Sequence, residues 1–301
     1  MKIAIQGLGR MGMQISRKLS ENGHEVIAHN RSHEPIDEAV SYGAKAAYTK
    51  QEVMKAFGSD RVVLWIMLPA AIVDNQVDEW LDLIPENSII IDGGNSDYRL
   101  TKKLNEKITS RGSKLIDVGT SGGVWGYQNG FSMMVGGDDA ATFRDLEPAL
   151  KTLAAPEGAY YHFGPSGAGH FVKMTHNAIE YGMMESLAEG YRVLKEGPYK
   201  DLNLGAAGDV WQHHSVVTSW LNELCQSALS ENPELDGIEG FVAESGEARW
   251  TLETAKDMNI PLQSIQAAFD VRIASQNGEH NFATKLLAAM RNKFGGHELN
   301  K

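Results

Sequence analysis

Short apolar runs alternate with stretches of mixed polarity through the first 165 residues of this 301-residue chain. The runs "KIAIQ" (2–6), "EVIAH" (25–29), "RVVLWIM" (61–67), "SIIID" (88–92), "KLIDV" (114–118) and "FSMMV" (131–135) are rich in aliphatic and β-branched residues and predict strands. Stretches between them, such as 11–22 and 97–110, repeat their apolar residues at helical spacing. This alternation predicts a parallel sheet with right-handed crossovers and helices on both faces.

The pattern changes after "YHFGPSGAG" (161–169). A long helix is expected from about residue 168 to 195, roughly 40 Å at ~1.5 Å per residue. Further helices are expected over about 206–229, 246–258, 261–276 and 280–293. Pro261 suits the first turn of its helix, and Gly278 suits a stop. The chain therefore divides into an α/β domain over 1–165 and an all-α domain over 166–301, with no internal repeat and no low-complexity tract.

Within the long helix, "GHFVKMTHNAIEYG" (169–182) breaks the usual rule for a core helix. Lys173, His176, Asn177, Glu180 and Tyr181 fall at i, i+3, i+4, i+7 and i+8, on one face. A solvated face is usually built of Lys, Glu, Gln and Arg in i,i+4 pairs. Here Phe171, Val172, Ala178, Ile179 and Met183 flank a narrow polar line that combines an amine, an imidazole, an amide, a carboxyl and a phenol. That combination suits acid–base chemistry better than solvation.

"GLGRMG" (7–12) follows the first run directly and opens a helical pattern. Gly7 permits the tight turn, Gly9 lets the backbone approach a pyrophosphate, and Gly12 lets the helix pack closely on the strand. With Leu8, Arg10 and Met11 these residues form a candidate dinucleotide loop, and the helix N-terminus supplies amide donors for the phosphates. The fold expected is a Rossmann-type dinucleotide-binding domain followed by the helical domain. An acidic residue at the end of the second strand would favour NAD. The chain instead reads Asn30, Arg31 and Ser32, three donors that suit a 2′-phosphate, so NADP is expected over NAD.

Composition narrows the setting. The chain is 42% apolar and 22% charged, enough for a sizeable core. No apolar run approaches the ~18–20 residues of a membrane span. Met1 leads straight into the first strand-like run, which leaves no room for a leader, and Cys225 is the single cysteine. These features point to the cytoplasm. A net charge of −11 argues against nucleic acid and anionic membranes as partners. An anionic ligand would need a local cluster of cations.

Taken together, "GLGRMG", "NRS", "IDGGNSDY" (91–98), "TSGGVWG" (120–126), "GAGHFVKMTHNAIEYG" (167–182), "GEARWT" (246–251), "VRIASQ" (271–276) and "RNKFGGH" (291–297) resemble the 6-phosphogluconate dehydrogenase family in its short form. The resemblance spans nearly the whole chain. It implies oxidative decarboxylation of 6-phosphogluconate to ribulose 5-phosphate and CO2 without a metal. It implies Lys173 as the base and Glu180 as the acid. His176 and Asn177 match contacts to substrate hydroxyl and carbonyl groups. Asn95 matches a residue that touches nicotinamide and substrate, and Ser121, Gly122 and Gly123 match a loop on the substrate carboxylate. Tyr181 and Arg272 match phosphate contacts. Arg291 and His297 match a tail pair that, in the long enzymes, comes from a neighbouring subunit, so a homodimer or homotetramer is expected with the tail completing a neighbour's site. Lys173 has an ordinary pKa of ~10.4 and needs burial or a neighbouring cation to act as a base near neutrality. Two positions depart from the long-form pattern: Ser245 and Glu247 stand where a lysine and a hydroxyl residue are usual. Two rival readings are a β-hydroxyacid dehydrogenase acting on a small 3-hydroxy acid, and a non-catalytic NADP-binding sensor.

Overall fold

The computed structural model describes residues 1–156 and 159–296. They form two compact units that divide between Met174 and Thr175. The division falls inside one helix, nine residues beyond the end of the expected first domain. No helix among the described residues is long and apolar enough to cross a membrane.

In the first unit strands and helices alternate: β1 (Lys2–Gln6), α1 (Arg10–Glu21), β2 (Glu25–His29), α2 (Glu34–Ser41), β3 (Lys45–Ala47), α3 (Lys50–Phe57), β4 (Val63–Ile66), α4 (Ala70–Leu81), β5 (Ile89–Asp92), α5 (Tyr98–Ser110), β6 (Lys114–Ser121), α6 (Gly126–Asn129), β7 (Ser132–Gly136), α7 (Ala140–Leu153) and β8 (Tyr160–Gly164). The sheet order is β3-β2-β1-β4-β5-β6-β7-β8. Side chains alternate across the sheet. Ile3, Ile5, Trp65, Ile89 and Ile91 enter one apolar layer. Ala4, Leu64, Ile66 and Ile90 enter the other. Both faces are covered, which is why these strands read as continuous apolar runs.

One pairing departs from the expected parallel sheet: β7 runs antiparallel to β6. The link between them, residues 122–131, is too short for a parallel crossover, which needs a dozen or more residues. β7 then pairs parallel with β8 after the longer α7 connection. The order outward from β1 reverses between β1 and β4, the switch point at which such sheets bind ligands beyond their carboxyl ends.

Helix α8 (Ala168–Glu196) begins in the first unit and continues into the second. The second unit adds α9 (Leu204–Gln212), α10 (Trp220–Glu231), α11 (Glu247–Asp257), α12 (Gln263–Gln276) and α13 (Phe282–Gly295). The helix expected over 206–229 is two helices. His214 has φ 65°, a left-handed conformation that a helix cannot contain. Ser219 then caps α10 by accepting from the Asn222 amide. Pro261 precedes the next helix instead of lying in its first turn, because Leu262 (φ −117°, ψ 65°) is not yet helical. Gly278 follows the end of α12 with φ 93°, as a stop requires. Two apolar clusters hold this unit together. One joins α8, α9, α10 and α13 around Met184, Tyr191, Cys225 and Leu287. A smaller one joins α8, α11 and α12 around Ala178, Tyr181, Ala248 and Phe269.

Candidate active site

The glycine loop is shaped by close contacts and one opening. A Cβ on Gly7 would lie 2.4 Å from the Met67 carbonyl oxygen, and one on Gly12 would lie 1.9 Å from that of Gly7. A Cβ on Gly9 would meet nothing within 4 Å, so the backbone faces open space there. Gly9 is also the N-cap of α1 and has no side-chain cap bond. The helix therefore presents amide donors to that space, and these residues fit a pyrophosphate. The Leu8 amide donates to Asn30 Oδ1 at 3.1 Å, while Asn30 Nδ2 donates to the Ser32 carbonyl at 3.3 Å. Asn30 thus ties the glycine loop to the end of β2. Arg10, Arg31 and Ser32 are exposed, and Met11 is half-buried against the sheet.

Beyond β5, Asp92 accepts from Ser96 Oγ (2.9 Å) and the Gly94 amide (3.2 Å). Asp97 caps α5. These bonds fix both sides of Asn95, which is exposed between them. Beyond β6, Ser121 leads into Gly122 (φ 133°) and Gly123 (φ 54°), a turn that side-chain-bearing residues rarely make. All three are half-buried.

Lys173 is placed by β6. The Asp117 carboxylate, fully buried in that strand, accepts from the amides of Gly167 (2.7 Å) and His170 (2.8 Å). It satisfies donors that the first turn of α8 would otherwise leave unpaired. One turn on, Lys173 is 6% exposed and sits directly over Gly119. Asp117 and Gly119 were not candidates from sequence, because a strand run gives no sign of which residue caps a helix fifty positions later.

In the second unit the stripe continues. His176 Nδ1 lies 2.9 Å from Asn177 Oδ1 and 4.0 Å from Glu180 Oε2. Asn177 Nδ2 donates to Glu247 Oε1 at 2.9 Å. Tyr181 is buried, and its hydroxyl lies 3.3 Å from the Ser245 amide, which donates to it. The Arg272 guanidinium stacks over the Tyr181 ring, 3.2 Å from its centre. Arg272 is 2% exposed and Arg291 8%. Burial pulls both guanidinium pKa values down, and for Arg291 the charge of Arg272 adds to the effect, bringing it to about 10. Glu180 and Tyr181 act on both arginines in the opposite sense, as Glu247 does on Arg291 and Glu185 on Arg272. Two desolvated guanidinium groups beside one another have the donors to receive a polyanion.

Glu185, one turn beyond Tyr181 on α8, is also buried, and its carboxyl is pushed up to about 7 by burial and by Glu189. The strip "VRIASQ" carries more than Arg272. Ser275 Oγ accepts from the Val242 amide (3.1 Å), and Gln276 Nε2 donates to the Val242 carbonyl (3.1 Å). These bonds moor the segment that leads to Ser245 and Glu247. Arg291, expected in a tail that serves a neighbour, lies in α13 close enough to Arg272, Tyr181, Glu180 and Glu247 of its own chain to feel their charges. His297 lies outside the described residues.

Comparisons with known proteins agree on a family. Residues 2–164 match the NAD binding domain of 6-phosphogluconate dehydrogenase, and residues 169–301 match the 6-phosphogluconate dehydrogenase C-terminal domain. The Bacillus subtilis protein YqeC, provisionally named a 6-phosphogluconate dehydrogenase, is 36% identical over 301 residues and all of both chains. The Haloferax volcanii NAD(+)-dependent, decarboxylating 6-phosphogluconate dehydrogenase is 34% identical over 99% of this chain and 98% of its own. The fold is also that of a Mycobacterium tuberculosis 3-hydroxyisobutyrate dehydrogenase (TM-score 0.73, 21% identity, 95% of this chain and 97% of that one). Fold alone therefore does not choose between the substrates.

Proposed function

Because the chain belongs to the 6-phosphogluconate dehydrogenase family, we propose that this oxidoreductase converts 6-phosphogluconate to ribulose 5-phosphate and CO2 with reduction of NADP. The observation that carries the substrate is the buried pair Arg272 and Arg291 beside Tyr181. A phosphate meets two guanidinium groups well. A small 3-hydroxy acid, with its single carboxylate, has no second anion to place there.

The cofactor supplies the hydride acceptor. Lys173, as the neutral amine, takes the proton of the C3 hydroxyl while hydride leaves C3. The β-keto acid then loses CO2. Glu180 delivers the proton to C1 of the enediol. His176 and Asn177 hold the substrate hydroxyl and carbonyl groups. Asn95 orients nicotinamide and substrate, and Ser121 with the amides of Gly122 and Gly123 holds the carboxylate. Tyr181, Arg272 and Arg291 hold the phosphate. NADP is favoured because Arg31 and Ser32 are exposed at the end of β2, where a 2′-phosphate would lie. A second reading, NAD, draws support from the Haloferax relative's NAD(+)-dependence and from the engagement of Asn30 within the loop.

Initial-rate kinetics with 6-phosphogluconate, NADP and NAD, with CO2 measured alongside, test the proposal. CO2 released in step with cofactor reduction is the expected result. Faster turnover of 3-hydroxyisobutyrate without CO2 would overturn it.

A further inference from the structure

We propose that Glu247 is a positioning residue that acts through Asn177 to hold His176 with its proton on Nδ1. The inference deepens the reading of His176 as a substrate contact. It begins with an oddity: His176 and Asn177 are sequence neighbours on α8, yet their side chains meet at 2.9 Å. Adjacent helical residues do not normally face each other. Something outside the helix must turn Asn177, and Glu247 does so. It is 1% exposed, in the first turn of α11, and its Oε1 accepts from Asn177 Nδ2 at 2.9 Å.

The chemistry then leaves one arrangement. An ionised carboxylate only accepts hydrogen bonds, so it selects the NH2 end of the amide. The carbonyl end is thereby turned toward His176. A carbonyl also only accepts, so His176 Nδ1 must be the donor. Nε2 of the neutral ring is left as the acceptor, on a side chain that is 38% exposed. Free neutral imidazole carries its proton more often on Nε2, so this state has to be imposed. A group that both donates and accepts could not impose it. Glu247 does, and with Nε2 unprotonated His176 can accept a hydrogen bond from a substrate hydroxyl. The remaining oxygen, Oε2, is buried without a hydrogen-bond partner among the described residues, and the Glu247 charge offsets that of Arg291.

Imidazole 15N shifts of the histidine-labelled full chain, recorded without substrate at a pH where His176 is neutral, read the proton's position directly. His176→Gln assigns the signal. The wild type is expected to show protonated Nδ1. Glu247→Met should move the proton to Nε2 and lower kcat/KM for 6-phosphogluconate by roughly 10–100-fold, the range for orienting groups behind a functional histidine. Glu247→Gln keeps the size of the side chain but both donates and accepts, so it no longer selects the NH2 end of Asn177 and should also let the proton leave Nδ1. If Glu247→Met does not fold, Asn177→Leu removes the same acceptor and must release the same proton. A wild-type ring protonated on Nε2, or a ring that keeps Nδ1 protonated in these variants, overturns the proposal. The tautomer is read with no substrate present, so this result is independent of whether 6-phosphogluconate is turned over.

Discussion

Lys173 rests on Gly119: a Cβ added to Gly119 would lie 2.3 Å from Lys173 Cβ and 2.8 Å from its Cγ. Strand β6 and helix α8 approach this closely only because residue 119 has no side chain. Gly119→Ala therefore displaces the amine while leaving its chemistry intact. Overpacking of this kind costs about 1–3 kcal/mol of stability, and an ångström of misplacement can cost about 10²-fold in rate. The expected result is a folded protein with kcat down by about that factor and dinucleotide affinity unchanged. Wild-type kcat in Gly119→Ala would show that the position of Lys173 is not what the strand secures.

Lys173→Met tests the amine itself. Loss of a general base should lower kcat by about 10²–10⁴-fold, with cofactor affinity near that of the wild type. Glu180→Gln should leave hydride transfer faster than release of ribulose 5-phosphate, so pre-steady-state reduction of the cofactor should outrun product formation. Turnover above half the wild-type rate in Lys173→Met, or no such lag in Glu180→Gln, removes that residue from its role.

The stripe that contains both residues was legible because it is local: five polar side chains at helical spacing need no knowledge of the fold. The strands of the sheet were legible because both faces are buried and each run is apolar throughout. β3 escaped notice because it has three residues, two of them exposed at the sheet edge. β8 alternates half-buried and exposed residues at the other edge, and so reads as a loop. What sets the site was harder to see. Asp117 and Gly119 reach α8 across about fifty residues of sequence, and Glu247 reaches Asn177 across seventy. Each is an ordinary residue until the fold supplies its partner.

Asn30 offers a test of the proposed cofactor preference. Its Oδ1 accepts from the Leu8 amide, and its Nδ2 faces the Ser32 carbonyl. Asn30→Asp keeps the first contact and sets a carboxylate against the second. A carboxylate here also repels a 2′-phosphate, so the ratio of kcat/KM for NADP to that for NAD should fall by about tenfold or more. An unchanged ratio would mean that Arg31 and Ser32 do not read the 2′ position, and wild-type preference for NAD would overturn the NADP assignment directly.

Glu185 predicts a pH dependence of stability. Its carboxyl titrates near 7 in the folded chain, raised mainly by burial, and near its ordinary ~4.3 when unfolded. Between those values the folded state holds the extra proton, so stability falls as pH rises through that window. Above about pH 7 the full cost of the buried charge is present, on the order of 3 kcal/mol. Glu185→Gln should therefore raise the urea midpoint at pH 8 and leave it nearly unchanged at pH 4.5. An equal shift at both pH values would mean that packing, and not charge, accounts for the effect.

Arg291 decides whether one chain suffices for a phosphate site. It lies in α13 within the electrostatic reach of Arg272, Tyr181, Glu180 and Glu247 of its own chain. If Arg291 acts on the substrate of its own chain, a chain lacking either Arg291 or Lys173 keeps its defect whatever it is paired with. Arg291→Met should raise KM for 6-phosphogluconate by about 10²-fold, since it leaves Arg272 alone with the phosphate. Unfolding and refolding an equal mixture of Lys173→Met and Arg291→Met chains would place one of each in about half of any dimers that form. With Arg291 acting within its own chain, no pairing brings the two intact residues together, and activity should stay at the level of the separate variants. Were a neighbour's Arg291 used instead, each mixed dimer would hold one complete site, and about a quarter of wild-type activity would return. Recovery of that size, with mixed dimers verified by differently tagged chains, would assign Arg291 to the neighbouring site.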